Sequence, residues 1–198
     1  MASTASPYGL RAVNELGGLP YAGSTRTFKI NPAGTAANMY NGTVVAVDAD
    51  GYLVPVTNVG SAADPFPVGT VGVFAGCSYV NAQGQQIWSQ WYPTGTTGVV
   101  TAQVIDDDRA VFAVQSAGSL GQTALGMNVA FSAAQTGSTT TGNSTTAASA
   151  TPAATSGIAF RIVGFVENIT STVGDAKTDV LVKFNPGSHS YSNATGVA

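Results

Sequence analysis

Short runs of β-branched and aromatic residues recur along the chain, each closed by Gly, Pro, Asn or Asp, which is the punctuation of strands and turns. Val100, Ala102 and Val104 fall on one face while Thr101 and Gln103 fall on the other. Ile158, Phe160, Ile162 and Val166 likewise share a face opposite Ala159, Arg161 and Val163. Alternation of this kind marks antiparallel strands buried on one side. The pattern predicts strands over 25–30, 42–48, 52–56, 68–74, 85–92, 99–105, 110–115, 128–132, 158–167 and 178–185, and no helix of any length. Asp48-Ala49-Asp50-Gly51 stands between two of them, and Asp-Gly is a strong hairpin dipeptide. The expected fold is all-β: an antiparallel β-barrel or β-sandwich with an extended N-terminal arm and a long low-complexity loop.

Two segments break the period. In residues 1–24 the anchors Tyr8, Leu10, Val13, Leu16, Leu19 and Tyr21 alternate with Gly and Pro. This predicts an extended arm ahead of a single β-rich domain at 25–198, with its anchors covered by a partner subunit or by the domain itself. Residues 135–157 form a nearly charge-free Ser/Thr/Ala/Gly tract. Such a tract has too little apolar surface to order alone, so a surface loop is expected.

Composition sharpens this picture. Charged residues make up 9% of the 198 positions and apolar residues 44%, against a usual charged share of about 25%. The solvent face is therefore polar but almost uncharged, with a net charge of only -3. A free monomer usually keeps its neighbours apart with charge. This surface suits a protein covered by identical copies or by a larger lattice. The seven basic residues are scattered, so no basic run exists to neutralise phosphates, and nucleic acid is set aside as a partner. The single Cys77 excludes an internal disulfide framework and lies in an apolar run, where it reads as a buried small side chain. The opening residues lack the basic start and apolar stretch of a signal peptide, and no window reaches the length of a membrane span. Synthesis in a reducing cytoplasm and no membrane partner are expected.

Candidate chemistry is sparse. Asp106-Asp107-Asp108 precedes Arg109 between two predicted strands. It lacks the spacing of a calcium loop and reads as an acidic turn. The lone His189 sits in a polar tail, with no Gly-x-Ser-x-Gly elbow anywhere in the chain. Neither a phosphate-binding nor a dinucleotide-binding glycine pattern occurs. The chain therefore reads as a non-enzyme without a cofactor or metal, a hydrolase being the weakest rival. Trp88, Trp91 and Tyr92, with Gln86, Ser89 and Gln90 among them, suggest a strand with an apolar face at a subunit contact. A glycan- or receptor-binding module built on the same aromatics is the alternative. The candidate interface residues are Tyr8, Leu10, Leu16, Leu19, Tyr21, Trp88, Trp91 and Tyr92.

The stretch Ser6-Pro7-Tyr8-Gly9-Leu10-Arg11-Ala12-Val13, continuing through Leu16-Gly17-Gly18 to Tyr21-Ala22-Gly23-Ser24-Thr25-Arg26, resembles the start of a group of tailed-phage virion proteins described as head decoration or cement proteins. The likeness recurs at residues 72–79, 88–93, 106–112, 160–166, 173–176 and 182–185. The tract 135–157 is its least family-like part. The resemblance implies a β-rich virion protein, made in the host cytoplasm, that docks on the major capsid protein at the capsid exterior. It would do so as a homo-oligomer, a trimer favoured by the threefold sites of such lattices and a dimer the alternative. Its role would be to reinforce the shell.

Overall fold

The computed structural model describes residues 4–197; positions 1–3 of the expected arm and residue 198 lie outside the described residues. Eleven strands form among them: β1 (Arg11–Glu15), β2 (Arg26–Ile30), β3 (Val44–Val47), β4 (Leu53–Pro55), β5 (Thr70–Val80), β6 (Gln86–Ser89), β7 (Val100–Ile105), β8 (Ala110–Gln115), β9 (Asn128–Val129), β10 (Phe160–Phe165) and β11 (Asp179–Phe184). The only helical pieces described are two short 3-10 turns.

The strands build two antiparallel sheets, one ordered β1-β8-β11-β10-β9 and the other β2-β7-β5-β3-β4, with β6 paired to β5. The sheets pack on each other as a sandwich. Between them lies an aromatic core in which Phe112, Phe160 and Phe184 of the first sheet meet Val44, Ala46 and Val73 of the second, with Leu10, Phe66 and Phe131 supplied by connections. Phe66 meets Phe160 edge-on, their centroids 5.5 Å apart, and Phe160 lies 4.8 Å from Phe184. Such pairs each add about 0.5–1.5 kcal/mol beyond the area they bury.

The six-stranded sheet has a second core of its own. Ile30, Val45, Leu53, Phe74, Cys77, Val100, Ala102 and Val104 converge there with Met39 and Tyr92 from connections. They can converge because the sheet curls until its end strands β2 and β4 approach each other, although no ladder joins them among the described residues. The open choice between barrel and sandwich thus resolves as a sandwich with one curled sheet and no closed barrel.

Curling originates in β5. Its pairing slips at Val71, where Val45 faces Gly72 but Ala46 faces Thr70. It slips again at Ala75, where Phe74 faces Val104 but Gly76 faces Gln103. Each extra residue bends the strand. Gly72 and Gly76 take φ +146° and +141° at these points, in the region that favours glycine.

A third slip, at Val163 between Ile162 and Gly164, flips the parity of β10. Phe165 therefore packs against the inter-sheet core, where simple alternation places Val166. Between β3 and β4 the expected hairpin forms: Asp48 Oδ1 accepts from Asp50 N at 3.1 Å and from Tyr52 N at 2.9 Å, and Gly51 takes φ +80°.

Candidate interaction surface

The N-terminal segment does not extend away from the domain. Leu10 is 1% exposed within the inter-sheet core. Its N–H donates to Gly42 O at 3.1 Å, and Gly9 N donates to Thr146 O at 3.2 Å. Glycine is required at position 9 because φ is +70° and a Cβ would lie 2.5 Å from Ser144 Cβ. Tyr8 is half-buried, with Arg11 over its ring at 5.1 Å and the Asp179 carboxylate nearby. Burial and that carboxylate push the phenol well above its usual range, and burial raises Asp179. β1 then completes the edge of the five-stranded sheet against β8. Leu10 is thus a core residue and is corrected as an interface candidate.

What remains exposed is a hairpin tip. After β1 the chain reverses at Gly17 and Gly18, with φ +106° and +83°, closed by Glu15 N donating to Leu19 O at 2.7 Å. Leu16, Leu19 and Val13 stay 43%, 57% and 50% exposed. Tyr21 is half-buried, its hydroxyl held by Ser24 O.

The aromatic strand divides in the same way. β6 ends at Ser89, whose hydroxyl donates to Trp91 O at 2.6 Å and accepts from Trp91 N at 3.2 Å. This tight bend ends the alternation expected through Tyr92. Tyr92 is fully buried, its hydroxyl donating to Thr96 O at 2.8 Å, so it too is corrected to a core residue. Trp91 stacks on Tyr40 at 5.9 Å and 16°. Only Trp88 stands out, 71% exposed.

The tract 135–157 is a long loop without strands, most of its residues exposed or half-buried, and it is laced into the domain at a few buried positions. Ser144, Thr146 and Ala148 are buried, and isolated bridges tie Asn143 to Asn41 and Ala148 to Ser116 and Phe131. Gln135 fills a backbone role: Oε1 accepts from Val44 N at 2.7 Å while Nε2 donates to Val56 O at 2.7 Å. Order here comes from backbone pairing and small side chains that allow close approach. Gly137 rests on the Tyr40 ring. The role of Gln135 was carried by no motif, since a lone amide in a polar tract has no distinguishing pattern.

Asp106–Arg109 is the crossover from β7 in one sheet to β8 in the other. Asp107 Oδ1 accepts from Arg109 N at 2.8 Å, as in a turn. Asp106 Oδ2 accepts from Arg26 Nε and from the Tyr191 hydroxyl, both at 2.8 Å. His189, 1% exposed, packs edge-on between Phe184 and Tyr191. Its Nδ1 accepts from Tyr191 N at 3.3 Å. Burial lowers its pKa against the opposing pull of Asp108, the Val71 carbonyl, Asp106 and Asp107. No serine hydroxyl is hydrogen-bonded to this ring among the described residues. Cys77 is buried, its thiol pushed up to about 12 by desolvation.

Among the described residues, no group of three or more His, Cys, Asp or Glu is arranged to hold a metal ion, and no helix is long and apolar enough to cross a membrane. Comparison with family models, curated proteins and solved structures yields no match.

Proposed function

We propose that this chain is a structural virion protein that binds the outer surface of a phage capsid as a homo-oligomer and stabilises the shell. The observation that carries the reading is the hairpin tip, which holds Leu16 and Leu19 in water at the end of an edge strand whose own Val13 is also exposed. Fully burying a leucine contributes about 1.5–3 kcal/mol, so an exposed pair on one hydrogen-bonded turn is a strong anchor for an apolar hollow on a partner. The near absence of charge and the likeness to decoration proteins support the same reading. A lattice repeats its sites at fixed spacing, so modest contacts made by an oligomer add up to firm retention. A ligand bound only to the assembled shell also raises the cost of taking it apart.

The test is to mix the purified protein with expanded capsids that lack it, pellet them and count bound copies per capsid subunit. A saturating fixed ratio with improved heat survival is expected. Leu16→Ser with Leu19→Ser is expected to weaken retention at least about tenfold. Both positions are exposed, so the variant keeps its core; deletion of residues 1–23 would instead strip out Leu10 and β1 and test folding. Sedimentation of the free protein distinguishes the favoured trimer from a dimer. Absence of binding to intact expanded capsids overturns the reading.

A further inference from the structure

Away from the hairpin tip, two adjoining hollows of about 410 and 250 Å3 have Ala75 and Gln90 in both linings and make a two-part trough. Tyr21 lines its first part and Trp88 its second. Between them the lining carries four neutral amides, Asn41 and Asn143 in the first part, Gln103 in the second, and Gln90 in both. Arg11 is the one charged residue in the lining.

The trough is built by backbone geometry. Ala75 is the extra residue of the β5 bulge, a feature that occurs often beside binding sites. At Gly76 a Cβ would lie 2.9 Å from Ser89 O, so the floor tolerates little more than hydrogen there. A Cβ at Gly142 would lie 3.1 Å from Gln90 Cβ, and the next residue, Asn143, lines the same hollow as Gln90. Among the described residues, the side-chain amides of Gln90 and Asn143 make no hydrogen bond. Asn41 uses its Nδ2 on Ala75 O, and Gln103 its Oε1 on the Thr25 hydroxyl. Each of the latter keeps its other amide atom for a ligand.

We propose that this trough binds a neutral oligosaccharide. A sugar ring has an apolar C–H face and a rim of hydroxyls that both donate and accept. An exposed indole meets the first requirement. Amides, which also donate and accept, meet the second. A lining whose one charge is the Arg11 cation attracts a polyanion only weakly and offers nothing to a polycation, so neutral chains are the fitting class. The inference rests on the trough alone and is independent of capsid binding.

The test uses the full chain and three neutral probes, cellohexaose, maltohexaose and hexa-N-acetylchitohexaose, with an alginate hexamer as the charged comparison. Binding is followed by tryptophan emission and by calorimetry. At least one neutral probe is expected to bind and blue-shift the emission, because Trp88 leaves water while Trp91 is already stacked. Trp88→Ala is expected to weaken that binding at least about tenfold and Gln90→Ala severalfold. Trp88 is exposed, so its variant folds, which an unchanged melting temperature checks. No binding of any neutral probe at millimolar concentration, equal binding by Trp88→Ala, or preference for the alginate hexamer overturns the proposal.

Discussion

His189 illustrates how one side chain couples the end of the chain to its middle. Its Nδ1 accepts from Tyr191 N, and Tyr191 in turn bonds Asp106 and Arg26. The ring therefore has to stay neutral to keep its acceptor. The groups facing it are Asp106, Asp107 and Asp108 of the crossover and the Val71 carbonyl of β5, all favouring the charged form, with Arg26 of β2 held beyond Tyr191. Burial outweighs them and sets the folded pKa below the ordinary 6.5. The unfolded chain then takes up the proton more readily, so this contribution to stability is complete above about pH 6.5 and drains as pH falls toward the lowered value. Thermal melts of the wild type are expected to show a midpoint that drops between about pH 7.5 and 5. In His189→Asn, where an amide oxygen still accepts from the residue two along, that slope is expected to flatten, while stability at neutral pH falls by on the order of 1–3 kcal/mol from lost ring packing. Asp179, raised by burial, acts in the opposite sense in both proteins, so the difference between the two slopes isolates His189. Equal slopes would remove the histidine from the account.

At the scale of elements, β5 does most to shape the molecule, and its glycines decide the outcome. A Cβ at Gly72 would sit 2.0 Å from Ile105 O, a backbone atom of β7 that cannot move aside alone, at a φ of +146°. Gly72→Ala is expected to cost on the order of 2–4 kcal/mol, overpacking and backbone strain acting together. Gly121→Ala, with open space and ordinary φ, is expected to stay within about 0.5 kcal/mol. Chemical denaturation of the pair checks both, and a mild Gly72→Ala would mean that β5 is free to straighten.

The same glycines explain what could be read beforehand. β7 was legible because its alternation is unbroken, and β8 because it is a short continuous apolar run, Ala110–Gln115 matching the expected strand end to end. β5 runs on to Val80, beyond the expected end at Phe74, because Gly76 has the local signature of a turn and only the bulge makes it part of a strand. β1 was missed because Arg-Ala-Val-Asn-Glu offers one large apolar residue, and Val13 falls at the register slip, facing water. Of the candidate site, Leu16, Leu19 and Trp88 were identified as surface anchors. Leu10 and Tyr92 were not distinguishable from them, since partner contacts and core contacts favour the same side chains. The amides of the trough carry no pattern at all, being drawn together from four distant segments.

Across the whole molecule, the consequential fact is that two cores share one wall. Val44, Ala46 and Val73 face the inter-sheet core while Val45 and Phe74, their neighbours in β3 and β5, face the core inside the curled sheet. Loss of order on one side removes the support for alternate side chains on the other, so the two cores are expected to melt as one unit even though no side chain belongs to both. Matched deletions of a single methylene test this. Ile162→Val lies in the first core and Ile30→Val in the second, and both side chains are essentially unexposed. Each is expected to cost about 0.5–1.5 kcal/mol, moving the midpoint by a few degrees, since about 1 kcal/mol shifts a chain of this size by roughly 2–4 °C. Both tryptophans lie on the side of the curled sheet, Trp88 on β6 and Trp91 just beyond it. Their emission therefore reports directly on the second core and on the first only through the shared wall. If the wall couples them, Ile162→Val shifts the fluorescence midpoint as far as the calorimetric one, and the calorimetric and van't Hoff enthalpies agree. If Ile162→Val moves a separate calorimetric peak and leaves the fluorescence midpoint in place, the curled sheet is a folding unit by itself. The five-stranded sheet would then be only docked against it.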